Sequence, residues 1–179
     1  MSELSRALSR MVDLLEEEEV DYMLIGGLAL PLYGRIRATL DMDIAVSVPT
    51  ENDFNRLVTN VGDRSYAVAL ASFRNPMCLF HDLATGYEIE IWTRPDGITW
   101  DQDTLNRRRK ATVGSSEVWI VSPEDFIVSK LARPDRGVGD EQDVKSVFER
   151  SEAQLDKEYL KKRAEAAGVW ALLQMISRT

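Results

Sequence analysis

Apolar residues recur at helical spacing near the start of the chain. Leu4, Leu8, Met11, Val12, Leu14 and Leu15 form one stripe and predict a helix over residues 3–19. The pattern then changes. YMLI is a short apolar run ended by Gly26-Gly27, which predicts a first strand over 21–25. LALPLY predicts a short helix over 28–33, with Pro31 near its first turn and Gly34 ending it. A second apolar run, Asp41 to Val48, predicts the second strand. Pro49-Thr50 closes it and opens a helix to about Val61, with Phe54, Leu57, Val58 and Val61 facing inward.

The second half repeats the alternation of elements. Strand-like pieces at 66–70 and 77–80 precede YEIEIW, residues 87–92, which alternates clearly. Tyr87, Ile89 and Ile91 share one face of that strand, and Glu88, Glu90 and Trp92 share the other. Residues 101–109 read as a helix, and 111–113 and 117–121 as strands. Ser122-Pro123-Glu124-Asp125 opens a helix, with Ser122 as cap, Pro123 at the first helical position and acids in the first turn. The loop RPDRGVG leads to Asp140, Asp143 and the helix DVKSVFER, and Asp140 reads as a helix cap. Two short helices broken near Gly168 fill 156–177, and their apolar face covers the domain or contacts a second subunit. The expected fold is α/β (α+β): a small mixed β-sheet, flanking helices and a helical C-terminal part. Residues 1–150 are expected to form one domain, with 151–179 as a helical extension packed on it.

Composition narrows the classes. Hydrophobic residues make up 44% of 179, enough for a real core. No apolar run approaches the ~18 residues of a membrane span. The first residues lack a signal-like apolar region, and Cys78 is the single cysteine, so a cytoplasmic protein without a disulfide framework is expected. One histidine, His81, rules out a multi-histidine metal site. The net charge of −8 weighs against broad binding to nucleic-acid backbone, while leaving room for a local patch. Arg107-Arg108-Arg109-Lys110 is the one concentrated basic run; it reads as a solvated helix end or as a means of steering an anionic substrate.

The chemistry concentrates between Leu24 and Val46. On a strand, Asp41 and Asp43 point the same way, with Cβ atoms roughly 7 Å apart. Two carboxylates on one face of an apolar strand repel each other and lose hydration, which a divalent cation with oxygen ligands would offset. A solvated strand end is the alternative reading. Gly26-Gly27 sits where a strand passes into a helix, where glycine lets backbone N–H groups approach a phosphate. Arg35 and Arg37 either balance the acidic strand or contact a triphosphate. Glu90 lies on a strand that can bring a third carboxylate to the pair.

The order apolar-Gly-Gly, thirteen residues, then Asp41-Met42-Asp43 resembles the signature of the polymerase-beta-like nucleotidyltransferase superfamily. The fuller string GGLALPLYGRIRATLDMDIAV resembles AbiEii-type small nucleotidyltransferase-like proteins, some of them toxins of toxin–antitoxin systems. Arg37, Thr39, Asp41 and Asp43 match the Arg-x-Thr-x-Asp-x-Asp stretch common in that family. The resemblance spans roughly residues 20–150. It implies Asp41, Asp43 and Glu90 as catalytic and metal-binding residues, with Glu90 standing where the family usually carries Asp. It implies Mg²⁺ (or Mn²⁺) as cofactor, and Gly26, Gly27, Arg37, Thr39, Lys130 and Asp140 as nucleotide-binding residues. The implied reaction moves an NMP group from an NTP to a hydroxyl on RNA, a protein or a small molecule. A catalytically inactive nucleotide-binding protein, or a toxin component with an antitoxin partner, is the alternative. A homodimer is compatible with either.

Overall fold

The structure is a computed structural model that describes residues 2–39 and 41–177. One seven-stranded mixed sheet organises it, in the order β3-β4-β5-β2-β1-β7-β6. The strands are β1 (Tyr22–Leu24), β2 (Met42–Val46), β3 (Tyr66–Ala69), β4 (Met77–Asp82), β5 (Tyr87–Trp92), β6 (Arg109–Val113) and β7 (Ser116–Ile120). β2 runs antiparallel to β1 and parallel to β5, while β1 runs parallel to β7. β2, which follows Asp41 and carries Asp43, therefore lies between the strand that leads into Gly26-Gly27 and the YEIEIW strand.

The helices are α1 (Glu3–Glu17), α2 (Gly26–Ala29), α3 (Glu51–Asp63), α4 (Gln102–Arg107), α5 (Pro123–Ala132), α6 (Val138–Ser151), α7 (Lys157–Ala166) and α8 (Trp170–Ile176). Their starts follow from side-chain caps that satisfy otherwise unpaired N–H groups. Thr50 accepts from Asp53 N–H, Asp101 from Thr104, Ser122 from Asp125 and Asp156 from Tyr159. α2 continues into a 3₁₀ turn, Leu30–Leu32, with Pro31 near the start of that turn. α1 buries Leu8, Met11, Val12, Leu14 and Leu15. No described helix is long and apolar enough to cross a membrane.

Several boundaries differ from the sequence pattern. The helix begun at Asp101 stops at Arg107, because Arg109 enters β6 opposite Ile120. β2 begins at Met42, so Asp41 stands just before the strand. α6 begins at Val138, a turn earlier than expected. Asp140 is therefore not the cap: it sits in the first turn and accepts a hydrogen bond from the N–H of Gly137, which is. The basic run is spent locally. Arg107 pairs with Asp156, Arg108 with Asp21, and Lys110 with Glu117.

α7 is tied to α5 and α4 by a polar network. Tyr159 Oη donates to the Asp125 carboxylate at 3.0 Å, and Arg163 Nη2 pairs with Asp101 at 2.5 Å and donates to Thr104 Oγ1 at 3.0 Å. Arg163 Nε also lies 3.9 Å from Asp125. The side chains of Arg163 and Asp125 are only 8% and 1% exposed, so removing the guanidinium strands a buried carboxylate. Arg163→Ala is expected to cost about 3 kcal/mol and lower the melting temperature by roughly 6–12 °C. The hydrogen bond from Arg163 also holds the Asp101 carboxyl at about 2, below its ordinary 3.8. A folded value below the unfolded one stabilises above pH ~4 and is lost as pH falls toward 2. The variant is therefore expected to melt with a shallower acid dependence than the parent, which differential scanning fluorimetry across pH 2–7 checks.

Candidate active site

The turn after β1 is built around Asp43. Ile25 N–H donates to the Asp43 carbonyl at 2.9 Å, continuing the β1–β2 ladder for one residue. Gly26 then takes φ +63°, and a Cβ there would collide with the Asp43 carboxylate. Only a residue without a side chain lets backbone and carboxylate approach so closely in that left-handed conformation. Gly27 is constrained by a different neighbour: its Cβ would meet Thr39 Oγ1 at 2.8 Å. The same hydroxyl accepts from Asp41 N–H at 3.3 Å, so Thr39 braces the turn against the aspartate loop. Gly26→Ala is expected to lose about 2 kcal/mol of stability, a fall of roughly 4–8 °C in melting temperature, and to displace Asp43. A thermal melt measures the first effect, and metal-dependent nucleotide binding the second.

Asp43 and Glu90 are direct partners in the parallel β2–β5 register. Met42, Ile44, Ile89 and Ile91 are buried beneath them, so the two carboxylates share the opposite face. Trp92, two residues along that face, donates its indole N–H to Glu90 Oε2 at 3.2 Å. Glu90 is half-buried, and burial first, then the hydrogen bond and charge of Asp43, push its carboxyl up to about 7. The Trp92 hydrogen bond opposes this, and the charge of Asp41 adds to it. Asp41 is exposed, at the mouth of a concavity that it lines with Met42, Gly86, Tyr87, Glu88 and Glu90. Among the described residues no three His, Cys, Asp or Glu side chains gather tightly enough to enclose a metal. The tight element is the Asp43–Glu90 pair.

A cationic wall stands beside Asp43. Lys130 and Arg133, one turn apart on α5 and just after it, line a cleft with Gly26, Asp43 and Trp92. They also line the neighbouring concavity, with Arg35, Arg37, Gly139, Asp140 and Asp143. Arg133 donates to Asp135 at 3.0 and 3.1 Å, and the other cations are held by two acids of α6. Lys130 Nζ donates to Asp140 Oδ1 at 3.0 Å and lies 3.3 Å from Asp143 Oδ2. Arg35 Nε donates to Asp143 Oδ1 at 2.8 Å, and Arg37 Nε lies 3.5 Å from Asp143 Oδ2. Burial alone would raise the Asp140 carboxyl. The hydrogen bonds from Gly137 and Lys130, with the charges of Lys130 and Arg133, bring it below its ordinary range.

Seven of the nine residues singled out in the sequence line these adjoining concavities: Gly26, Asp43, Asp41, Glu90, Arg37, Lys130 and Asp140. Gly27 and Thr39 instead pack on each other behind the turn. Arg37 leans on α6 rather than on the aspartates of β2, because Arg35 and the Gly34 carbonyl dock that loop onto Ser146 and Arg150. Arg133 was not legible as part of this wall; its spacing three after Lys130 is the signal that could have found it.

Comparison with known proteins agrees with this geometry. The family described as "Nucleotidyl transferase of unknown function (DUF2204)" matches residues 4–169. No curated protein sequence matches the chain. Three solved structures share the fold. The lincosamide antibiotic adenylyltransferase LnuA, bound to lincomycin, aligns with a TM-score of 0.53 at 16% identity over 79% of this chain and 94% of that one. An antigenic nucleotidyltransferase-like protein from Paracoccidioides brasiliensis aligns at 0.56 and 19% identity over 98% and 92%. ANT(2")-Ia in complex with adenylyl-2"-tobramycin aligns at 0.58 and 13% identity over 93% and 97%. With a family match over nearly its whole length and a nucleotidyltransferase fold around paired carboxylates, the chain belongs to this nucleotidyl transferase family.

Proposed function

We propose that the protein is a metal-dependent nucleotidyltransferase that moves a nucleoside monophosphate from an NTP to a hydroxyl acceptor. One juxtaposition supports this reading above the rest: Asp43 and Glu90 abut on neighbouring strands, and Lys130 and Arg133 line the same cleft as Asp43. The donor set suits a hard divalent cation, Mg²⁺ or Mn²⁺. It is all oxygen, its two carboxylates crowd each other, and Mg²⁺ is commonly held by one or two carboxylates completed by phosphate and water. Asp43 and Glu90 would hold it, with Asp41 reaching in from the mouth. When bound, the cation neutralises charge on the phosphates and favours ionisation of the acceptor hydroxyl.

The chain's own residues supply the rest. Gly26 lets the backbone approach the triphosphate closely, and Gly27, packed on Thr39, holds that turn in place. Lys130, Arg133 and Arg37 offset its charge, and Asp140 and Asp143 keep those cations in place. Acceptor oxygen bonds to the α-phosphorus, the bond to the bridging oxygen breaks, and pyrophosphate departs in line. A carboxylate facing the acceptor, Asp41 or Glu90, takes the hydroxyl proton. LnuA and the ANT(2")-Ia complex bear on antibiotic acceptors. For this acidic chain a small hydroxylated molecule or a protein side chain suits the acceptor role better than a long nucleic acid. Titration calorimetry with the four NTPs, in Mg²⁺ and in EDTA, tests the binding half. The expected result is binding at least about tenfold tighter with metal, lost in Glu90→Gln/Asp43→Asn; equal binding with and without metal would contradict it.

A further inference from the structure

The cleft beside Asp43 has a floor that phosphates do not want. Ile25, Pro95, Ile98, Val121 and Phe126 line it, together with the rings of Trp92. It is joined to the cationic concavity through Lys130 and Arg133, which line both. The concavity on the other side of the carboxylate pair carries Asp41, Glu88 and Glu90, which repel phosphates. A donor whose phosphates lie between Asp43 and the cationic wall therefore has one apolar place for its nucleoside.

Besides Asp43, Lys130 and Arg133, one further charged group lines this cleft. Asp96 is half-buried, and among the described residues its carboxylate takes part in no hydrogen bond or ion pair. Burial pushes its carboxyl above the ordinary value, with Arg133 opposing at longer range. Its position is not slack. Ile98 N–H donates to the Pro95 carbonyl at 3.3 Å, closing a turn in which Gly97 has φ +68°. A Cβ on Gly97 would meet Ala132 Cβ at 2.8 Å and the Val128 carbonyl oxygen at 3.0 Å, so the turn is pressed against α5. An unpaired carboxylate held rigidly in an apolar cleft is costly unless a ligand donates to it.

We propose, building on the nucleotidyltransferase reading, that this cleft takes the nucleoside half of the donor and that Asp96 accepts a hydrogen bond from an amino group on its base. A carboxylate is an acceptor only, so it matches the amino edges of adenine, guanine and cytosine. Uracil presents a carbonyl oxygen where cytosine has its amino group, and hypoxanthine presents one where adenine has its amino group and a bare C–H where guanine has its, so neither offers that donor. Asp96 thereby sets which donors bind, while the phosphate contacts remain common to all of them.

Titration calorimetry in Mg²⁺ with matched pairs, CTP against UTP and ATP and GTP each against inosine triphosphate, tests this on the parent protein, Asp96→Ala and Asp96→Asn. The expected result is about tenfold tighter binding of the amino-bearing member of at least one pair, reduced to less than threefold in Asp96→Ala. Asp96→Ala removes an unpaired carboxylate and is expected to melt no lower than the parent. Metal-dependent binding without discrimination, or discrimination that survives Asp96→Ala, overturns the base-reading role and leaves the nucleotidyltransferase reading standing. Failure of the parent to bind any of these five nucleotides overturns both.

Discussion

Asp43→Asn is expected to lower nucleotidyl transfer at least about 10³-fold while leaving the protein as stable as the parent, or more stable. The two effects have one cause. Asp43 lies against Glu90 in register, half-buried and beneath the Gly26 turn. Without a cation two neighbouring carboxylates are unfavourable: burial first, and then the hydrogen bond and charge of Asp43, push Glu90 up to about 7. Asparagine fills the same space, removes the repulsion and can still bond Glu90, so the fold gains. It also removes one of two negative ligands and with it the charge that would hold a divalent cation at the α-phosphate. A side chain kept only for packing would move stability and activity the same way. Parallel melts and turnover assays separate these cases, and a large fall in melting temperature with modest loss of turnover would count against the assignment.

Lys130→Met carries the second large effect, here on stability and binding together. The Lys130 side chain is 7% exposed, and its partners Asp140 and Asp143 are 14% and 2% exposed. Methionine keeps the packing of the stem but strands two carboxylates in a poorly solvated place. Breaking such a pair from one side costs about 3–5 kcal/mol, or roughly 6–20 °C in melting temperature for a chain of this length. Arg35 and Arg37 still neutralise part of Asp143, which places the expected loss at the lower end. Lys130 is also one of the two cations shared by the cleft and its cationic neighbour, so KM for the NTP is expected to rise at least about tenfold. A variant that melts like the parent would show that the network does not hold α5 to α6. One with altered stability but unchanged KM would show that Lys130 does not meet the nucleotide.

Much of the frame is legible in the residues because its periodicities are strong. YEIEIW alternates without interruption, and it forms a strand with Ile89 and Ile91 buried and Glu90 on the other face. Ser122-Pro123-Glu124-Asp125 names a helix start, and Ser122 caps α5. The chain's helical C-terminal part is likewise readable from the stripe that includes Leu160, Ala164 and Leu173. What pattern alone does not carry is register and long-range pairing. That Asp43 falls opposite Glu90, rather than one residue away, is settled by how β2 and β5 share a core across an intervening stretch of chain. Asp140 reads as a cap from its neighbours, but Gly137 can adopt the extended cap conformation earlier, and α6 gains a turn. Arg35 and Arg37 look like partners for the aspartates nearest in sequence. They turn instead to Asp143, more than a hundred residues away, because the loop that carries them docks on α6. Asp96 carries no periodic signal; only the folded cleft shows it unpaired.

The central claim is transfer itself, and the most direct measurement is release of pyrophosphate with movement of label from [α-³²P]NTP. The parent protein is assayed in Mg²⁺ beside Asp41→Asn/Asp43→Asn, with small hydroxylated molecules, including antibiotics, protein extracts and RNA offered as acceptors. The account predicts label on an acceptor with stoichiometric pyrophosphate, abolished by EDTA and by the double substitution. Label transfer that persists in the double variant, or metal-dependent NTP binding with no transfer to any acceptor offered, would contradict it.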